Sequence, residues 1–364
     1  MPHRFEVDHE PATERGPLEP APVAEPRRKR RGGRVLLVTA LVLVLAAAGS
    51  AGAYLFSLTQ IYDSQTTKID NAFPAEADRV PAAAAPASGE KPLNILVMGS
   101  DSRAAMPGEA AAGKATDQRA DTIMIVHIPA DRANVYGVSF MRDLWVNIPG
   151  HGEAKINAAL ALGGVPLMVQ TVESLLQQRI HHVVTIDFAG FRGLTDALGG
   201  VDVDVKVPFT SSEDGRTVFT AGNNTLNGTQ ALKFVRERYA FADGDYQRVR
   251  NQQSFLRAII AKTINADTLS NPVSIHNAVS AVSPFIGVDP GLNSGVLGGL
   301  GFSLRDVRQG NAVFFTVPTA GLGTSADGQS IVRPNTKAIT DIGAALGEDK
   351  LGRYIQNNHF ENGN

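Results

Sequence analysis

The sequence predicts an α/β fold: one domain with a central mixed β-sheet flanked by helices, preceded by one transmembrane helix. Three observations carry that reading. Short β-rich runs recur from Leu93 onward, helical patterns lie between them, and an uncharged apolar run stands near the N-terminus.

The runs LNILVMG (93–99), TIMIVHI (122–128), NVYGVSF (134–140), VVTIDF (183–188), VDVDVKV (201–207) and AVFFTV (312–317) read as strands. Between them VPLMVQTVESLLQQ (165–178), FRGLTDALGG (191–200) and QRVRNQQSFLRAIIAKTI (247–264) carry helical patterns. No repeat and no strong boundary divides 91–345, which is read as one domain. The tail over 346–364 is polar and is expected to fray.

The apolar run from Val35 to Phe56 contains no charge. About 20 apolar residues suffice for a helix to cross a bilayer, so 34–57 is read as an uncleaved span. The segment 1–33 is polar and is expected to be disordered. It ends in a block of arginines, from Arg27 to Arg34, which tends to stay cytoplasmic and to touch anionic head groups. The rest of the chain then lies outside the cell membrane, with 58–90, rich in Ala and Pro, as a tether.

Of 364 residues, 43% are hydrophobic, enough for a substantial core, and the formal net charge is −2. A nucleic-acid coat needs a basic excess, and an external domain meets neither nucleic acid nor an easy supply of ATP. With 0 cysteines there is no disulfide, thiolate ligand or cysteine nucleophile. Walker, HExxH and GxSxG patterns are also missing.

Charge is concentrated at strand ends. GSDSR after the first strand carries Asp101 and Arg103, RADT before the second carries Arg119 and Asp121, and the third ends in Arg142 and Asp143. If the first two strands are antiparallel neighbours, Asp101 and Asp121 converge and could share a hard cation such as magnesium with a phosphate. Taken alone, each Asp reads first as a turn or cap residue.

The stretch FVRERYAFADGDYQRVRNQQ (234–253) follows a short helical run, LNGTQALKF (226–234). In it Arg236 and Arg238 alternate as on one face of an extended segment, Asp243 and Asp245 lie in a loop, and Arg248, Arg250 and Gln252 open a helix. Guanidiniums bind phosphate oxygens bidentately, and a helix N-terminus favours anions, so these groups could clamp a pyrophosphate. A network of ion pairs on a solvated face is the competing reading.

Taken in order, NILVMGSDSR, RADTIMIVHI, VSFMRDLWVNIPGHGEAKINAALALGG, TIDFAGFRGLTDALGGVDVDV and LNGTQALKFVRERYAFADGDYQRVRNQQSFL resemble the LytR-CpsA-Psr family from about Leu93 to Ile264. The resemblance implies a membrane-anchored phosphotransferase that moves a glycopolymer from a polyprenyl pyrophosphate carrier to peptidoglycan and releases polyprenyl phosphate. It implies Mg2+ (or Mn2+) on Asp101 and Asp121, which with Arg142 and Arg238 form the catalytic set. It further implies that Arg103, Arg119, Arg142, Arg236, Arg238, Arg248 and Gln252 hold the pyrophosphate, and that apolar elements line a groove for the isoprenoid. An envelope regulator, a binding module for the same lipid, and a pyrophosphatase are the alternatives.

Overall fold

In a computed structural model the chain is described at residues 50, 52–82, 90–100, 120–263, 271–307 and 309–360. The first helix, α1, covers 52–65. Then follow β1 (Thr67–Lys68), β2 (Leu93–Ser100), β3 (Ala120–Ile128), β4 (Val135–Phe140), β5 (Trp145–Ile148), β6 (Gly152–Lys155), α2 (Ala158–Leu176), β7 (His182–Asp187) and α3 (Phe188–Ala197). Strands β8 (Val201–Val205), β9 (Phe209–Thr210), β10 (Val218–Phe219) and β11 (Gly222–Leu226) lead to α4 (Gly228–Arg236) and α5 (Asp245–Thr263). The chain closes with α6 (Pro272–Val282), β12 (Ile286–Val288), α7 (Ser294–Ser303), β13 (Ala312–Thr316), β14 (Thr319–Thr324), β15 (Ser330–Pro334), α8 (Thr336–Gly347) and α9 (Leu351–Asn357).

Seven strands form the central sheet in the order β1-β12-β7-β2-β3-β4-β13. It is mixed: β2 runs antiparallel to β3 and parallel to β7, and β4 runs parallel to β13. Side chains alternate across a strand, and here both faces are covered. Leu96, Met98, Ile123 and Ile125 enter a continuous core with Met168, Val172 and Ile342 of α2 and α8. Helix α2 starts at Ala158 and leaves helical geometry at Gly163 and Gly164 before Pro166, so its regular part is the run anticipated from 165. Long and apolar enough to cross a membrane, it is instead a core helix, with 56% of its apolar window buried.

The opposite face carries Val97, Met124 and Val184, under helices α3 to α7. There α4 begins in a reciprocal cap: Asn227 Oδ1 accepts from Gln230 N at 2.9 Å, and Gln230 Oε1 accepts from Asn227 N at 3.1 Å. It can approach α3 closely because its first residue is Gly228, where a Cβ would lie 2.4 Å from the Arg192 carbonyl oxygen. Helix α5 buries amides as well as apolar groups. Gln253 donates to Ser139 Oγ and Thr316 Oγ1, both at 3.1 Å, and Asn251 donates to the Phe234 carbonyl at 3.2 Å. These bonds offset the desolvation of the amides and fix α5 over the ends of β4 and β13.

Two expectations need correction. The segment 58–90 is no free tether where it is described: β1 joins the sheet beside β12, and Tyr62, Ile69 and Ala72 are buried. Arg79 donates to the buried carboxylate of Glu173 and to the Ile180 carbonyl, which fastens the segment to the end of α2. A compact unit therefore takes in Tyr54–Asn364 rather than beginning near 91. The tail from 346 does not fray at once either, because α9 places Leu351 and Ile355 in the main core and Phe360 packs on Phe315. The proposed span, 34–57, lies for most of its length outside the described residues, as does the basic segment before it.

Candidate active site

The floor of a cavity of about 1000 Å³ is built from two rows of cross-strand partners. One row is Met124, Val97, Val184 and Val288; the next is Thr122, Gly99, Ile186 and Ile286. Phe191 and Leu194 of α3, Leu232 of α4, and Phe255 and Ile259 of α5 form its walls. This length of the cavity is apolar. Its other end is lined by Asp121, Arg142, Arg236, Arg238, Arg248 and Gln252.

Register explains that division. Antiparallel pairing of β2 and β3 sets Ser100 opposite Ala120, so Asp121 emerges at the edge where β2 ends. Arg142 follows β4, the next strand, and its Nη1 donates to Asp121 Oδ1 at 2.6 Å. Arg142 Nε also lies 3.8 Å from Asp143 and 3.9 Å from Asp245. Burial opposes the charge on Arg142, but the three carboxylates outweigh it and raise its pKa.

Asp245 opens α5 rather than sitting in the preceding loop, and it stands 2.7 Å from Arg248 Nη2, three residues on. Arg248 is only 4% exposed, and burial lowers its pKa; burial likewise pushes the Asp245 carboxyl above the usual carboxylate range. Asp245 Oδ2, together with Nε of Arg142 and Nε of Arg248, is buried without a hydrogen-bond partner. Desolvated donors left in this condition are costly unless a ligand completes them. On the far side of this cluster Asp143, Asp245 and Tyr246 line a second cavity of about 400 Å³.

Arg236 is the last residue of α4, and Arg238 lies beyond it in a loop, so the two do not share one extended face as anticipated. The Arg236 guanidinium stacks 4.4 Å over Phe188 and comes within 3.9 Å of Glu213. Arg238 stacks on Tyr239 at 4.4 Å and donates to its hydroxyl. Gln252 donates to the Val235 carbonyl at 3.3 Å while lining the cavity. Arg250 is turned to Asp243 and Gln247, away from this group. Asp101, Arg103 and Arg119 lie outside the described residues.

One organising residue escaped the sequence reading. Glu237 is buried, and its carboxylate accepts from the backbone N–H groups of Ser212, Arg238, Tyr239 and Ala240 and from the Ser212 hydroxyl. Burial pushes its carboxyl up, but these bonds outweigh burial and hold it below the usual range. The loop that carries Arg238 is thus wrapped around one acid. Its signal in the sequence, a lone Glu between two arginines, reads as an ordinary ion pair.

Residues 55–347 match the LytR_cpsA_psr family, and they contain the whole sheet from β1, the cavity and both arginine-bearing helices. The chain belongs to that family. Within it, the polyisoprenyl-teichoic acid–peptidoglycan teichoic acid transferase TagU of Enterococcus faecalis is 32% identical over 242 residues, 66% of this chain and 74% of that one. The cell wall biosynthesis protein LcpA of Corynebacterium glutamicum is 27% identical over 292 residues, 70% of this chain, which spans 56% of LcpA. Among solved structures, TagV of B. subtilis aligns with a TM-score of 0.62 at 27% identity, covering 72% of this chain and 98% of TagV. The LytR-Csp2A-Psr enzyme of Actinomyces oris aligns with a TM-score of 0.59 at 26% identity, covering 78% and 96%. These LytR_cpsA_psr structures share the mixed sheet flanked by helices, the fold class expected from the sequence.

Proposed function

We propose that the protein is a membrane-anchored phosphotransferase that attaches a glycopolymer, delivered on a polyprenyl pyrophosphate, to peptidoglycan and releases polyprenyl phosphate. The observation that carries this reading is the two-part cavity: an apolar gallery that suits an isoprenoid tail, ending at Arg142, Arg236, Arg238 and Arg248, which suit two adjacent phosphates. The name of the E. faecalis relative, with a polyisoprenyl-linked donor and a peptidoglycan acceptor, supports the same assignment. The anchor at 34–57 and the external position of the domain belong to this proposal, since a water-insoluble donor is met at the membrane.

In the reaction, an acceptor hydroxyl oxygen forms a bond to the phosphorus that bears the glycopolymer. The bond from that phosphorus to the bridging oxygen breaks, and the bridging oxygen departs with polyprenyl phosphate. Charge accumulates on the phosphoryl oxygens, and the arginines stabilise it from fixed positions. The hydroxyl proton needs a base near neutral pH. Asp121 and Asp245 are each paired with an arginine, but Asp245 keeps Oδ2 without a hydrogen bond and burial raises its pKa, so Asp245 is the better-suited acceptor. The second cavity, which Asp245 lines, is the approach for the acceptor sugar.

Magnesium fits this site in one form only. Among the described residues no cluster of three or more acidic, His or Cys ligands exists, so these residues alone form no complete cage. Mg2+ is commonly held by one or two carboxylates together with substrate phosphates, and Asp121 lines the cavity where the phosphates would lie. Asp121, with Asp101, would hold Mg2+ (or Mn2+), which when bound supplies positive charge to the phosphates.

The test uses the full chain in detergent, a synthetic polyprenyl pyrophosphate disaccharide and soluble peptidoglycan fragments, with products read by mass spectrometry. Joined product plus polyprenyl phosphate, both lost in Arg142→Ala, is the expected result. Release of lipid phosphate regardless of acceptor would reassign the site to a pyrophosphatase. Tight donor binding with no product would reassign it to a binding module.

A further inference from the structure

Helices α6 and α7 carry large apolar side chains at the surface as well as on their packed sides. Neither PVSIHNAVSAV nor SGVLGGLGFS contains an acidic residue, Lys or Arg, and no residue of either helix is fully buried. Val273 is 65% exposed, Leu297 40% and Phe302 70%. Val279, Val296 and Leu300 pack on the small buried cluster of Tyr62, Val288 and Leu292, while Val273, Leu297 and Phe302 stay at the surface as an uncharged apolar edge of the kind an interfacial helix presents to lipid. At 11 and 10 residues these two are too short to cross a bilayer, so any contact they make with lipid is at its interface.

Their place in the fold says which surface covers them. Tyr54 Oη of α1 donates to the Pro272 carbonyl at the start of α6 at 2.6 Å. Asp63, a little over two turns further along α1, accepts from Ser294 N at the start of α7 at 3.1 Å. The uncharged run ends at Phe56, which lies within α1 and is 65% exposed. Both apolar helices are therefore fastened to the helix in which the proposed anchor ends. Arg305, just past α7, stacks on Phe302 at 4.4 Å, an arrangement that suits an arginine reaching for head groups beside a ring in the acyl boundary.

The apolar gallery leads to the same place. Val282 of α6, Leu297 of α7, Tyr62 of α1 and Leu292 line its end remote from the arginines, and Leu297 is also at the surface. We infer that α6 and α7 form a lip that lies in the bilayer interface, so that a polyprenyl chain enters the gallery from the acyl layer without crossing water. This inference rests on the anchored, lipid-dependent reading given above.

Tryptophan placement tests it, because Trp145 is the only tryptophan in the chain. In full-length Trp145→Phe protein reconstituted into phosphatidylcholine–phosphatidylglycerol vesicles, Phe302→Trp is compared with Leu322→Trp, an exposed position on β14 beside the second cavity. Acyl-brominated lipid is expected to quench Phe302→Trp and to leave Leu322→Trp bright. A second variant, Phe302→Asp, is expected to slow transfer from a long-chain donor in vesicles about tenfold, the loss that follows from removing one buried aromatic from lipid. Its turnover of a short-chain soluble donor should be unchanged. Protein that floats with vesicles while Phe302→Trp stays unquenched overturns the lip but leaves the anchor standing. Protein that does not float overturns both.

Discussion

The two faces of the central sheet are built from the same strands with the same alternation, yet they end differently. On one, Leu96, Met98, Ile123 and Ile125 join a single continuous core under α2 and α8. On the other, the buried residues divide into three separate clusters, and the space between them is the cavity. Close packing contributes stability in proportion to the area it removes from water. The open face forgoes part of that contribution and keeps room for a ligand. Stability and function have been assigned to opposite sides of one set of strands.

Substitution should separate these roles. Leu96→Ala, on the packed face, is expected to destabilise by about 2–5 kcal/mol, read as a shift in denaturation midpoint. A loss no larger than that of an open-face residue would erase the distinction between the faces. Next in size, Arg142→Ala should lower transfer by about 10²–10³-fold while circular dichroism stays native, the scale set by losing one preorganised charge donor. Activity within a few-fold of wild type would detach the arginine cluster from the chemistry.

Glu237→Gln is expected to cost about 1–3 kcal/mol, because an amide cannot accept all of the bonds that the carboxylate does. Its pH signature has a definite sign. The folded-state pKa is depressed below 4.5, so the contribution is fully present above that pH and is lost as pH falls through the folded value. Acid titration of stability should therefore be steeper in wild type than in Glu237→Gln, and parallel curves would contradict the assignment. The smallest effect is expected for Val184→Ala, about 1 kcal/mol or less, since that side chain already borders open space. A cost as large as that of Leu96→Ala would mean that the gallery is closed in solution.

Much of this architecture was legible beforehand. The strands β2, β3, β4, β7, β8 and β13 lie within a residue or two of their expected ranges, because each carries a run of β-branched or aromatic residues between clear breakers. The short strands β1, β5, β6, β9, β10, β11, β12, β14 and β15 do not stand out in the sequence. Runs of two to six residues offer too little periodicity to stand out from loops. Tyr62 and Ile69 were hidden by their Ala- and Pro-rich surroundings, though tertiary contact buries them. In the site, the strand-end pattern drew attention to Asp121 and Arg142 separately, but the hydrogen bond between them depends on the pairing of β3 with β4, which the sequence reading did not use. The grouping around Glu237 was invisible because its partner Ser212 is 25 residues away, in a loop with no pattern of its own.

The cross-strand rows on the cavity floor have a metrical consequence. From Met124 to Val288 the row crosses three inter-strand gaps, at about 4.8 Å each. Such a groove is a ruler with coarse divisions. Exchanging a side chain at the Val288 end adjusts its reach by less than one division, whereas a whole division requires a strand to join or leave that margin of the sheet. Discrimination among carriers of different length would therefore advance in small side-chain increments within one lineage and in discrete jumps between lineages that differ in strand number.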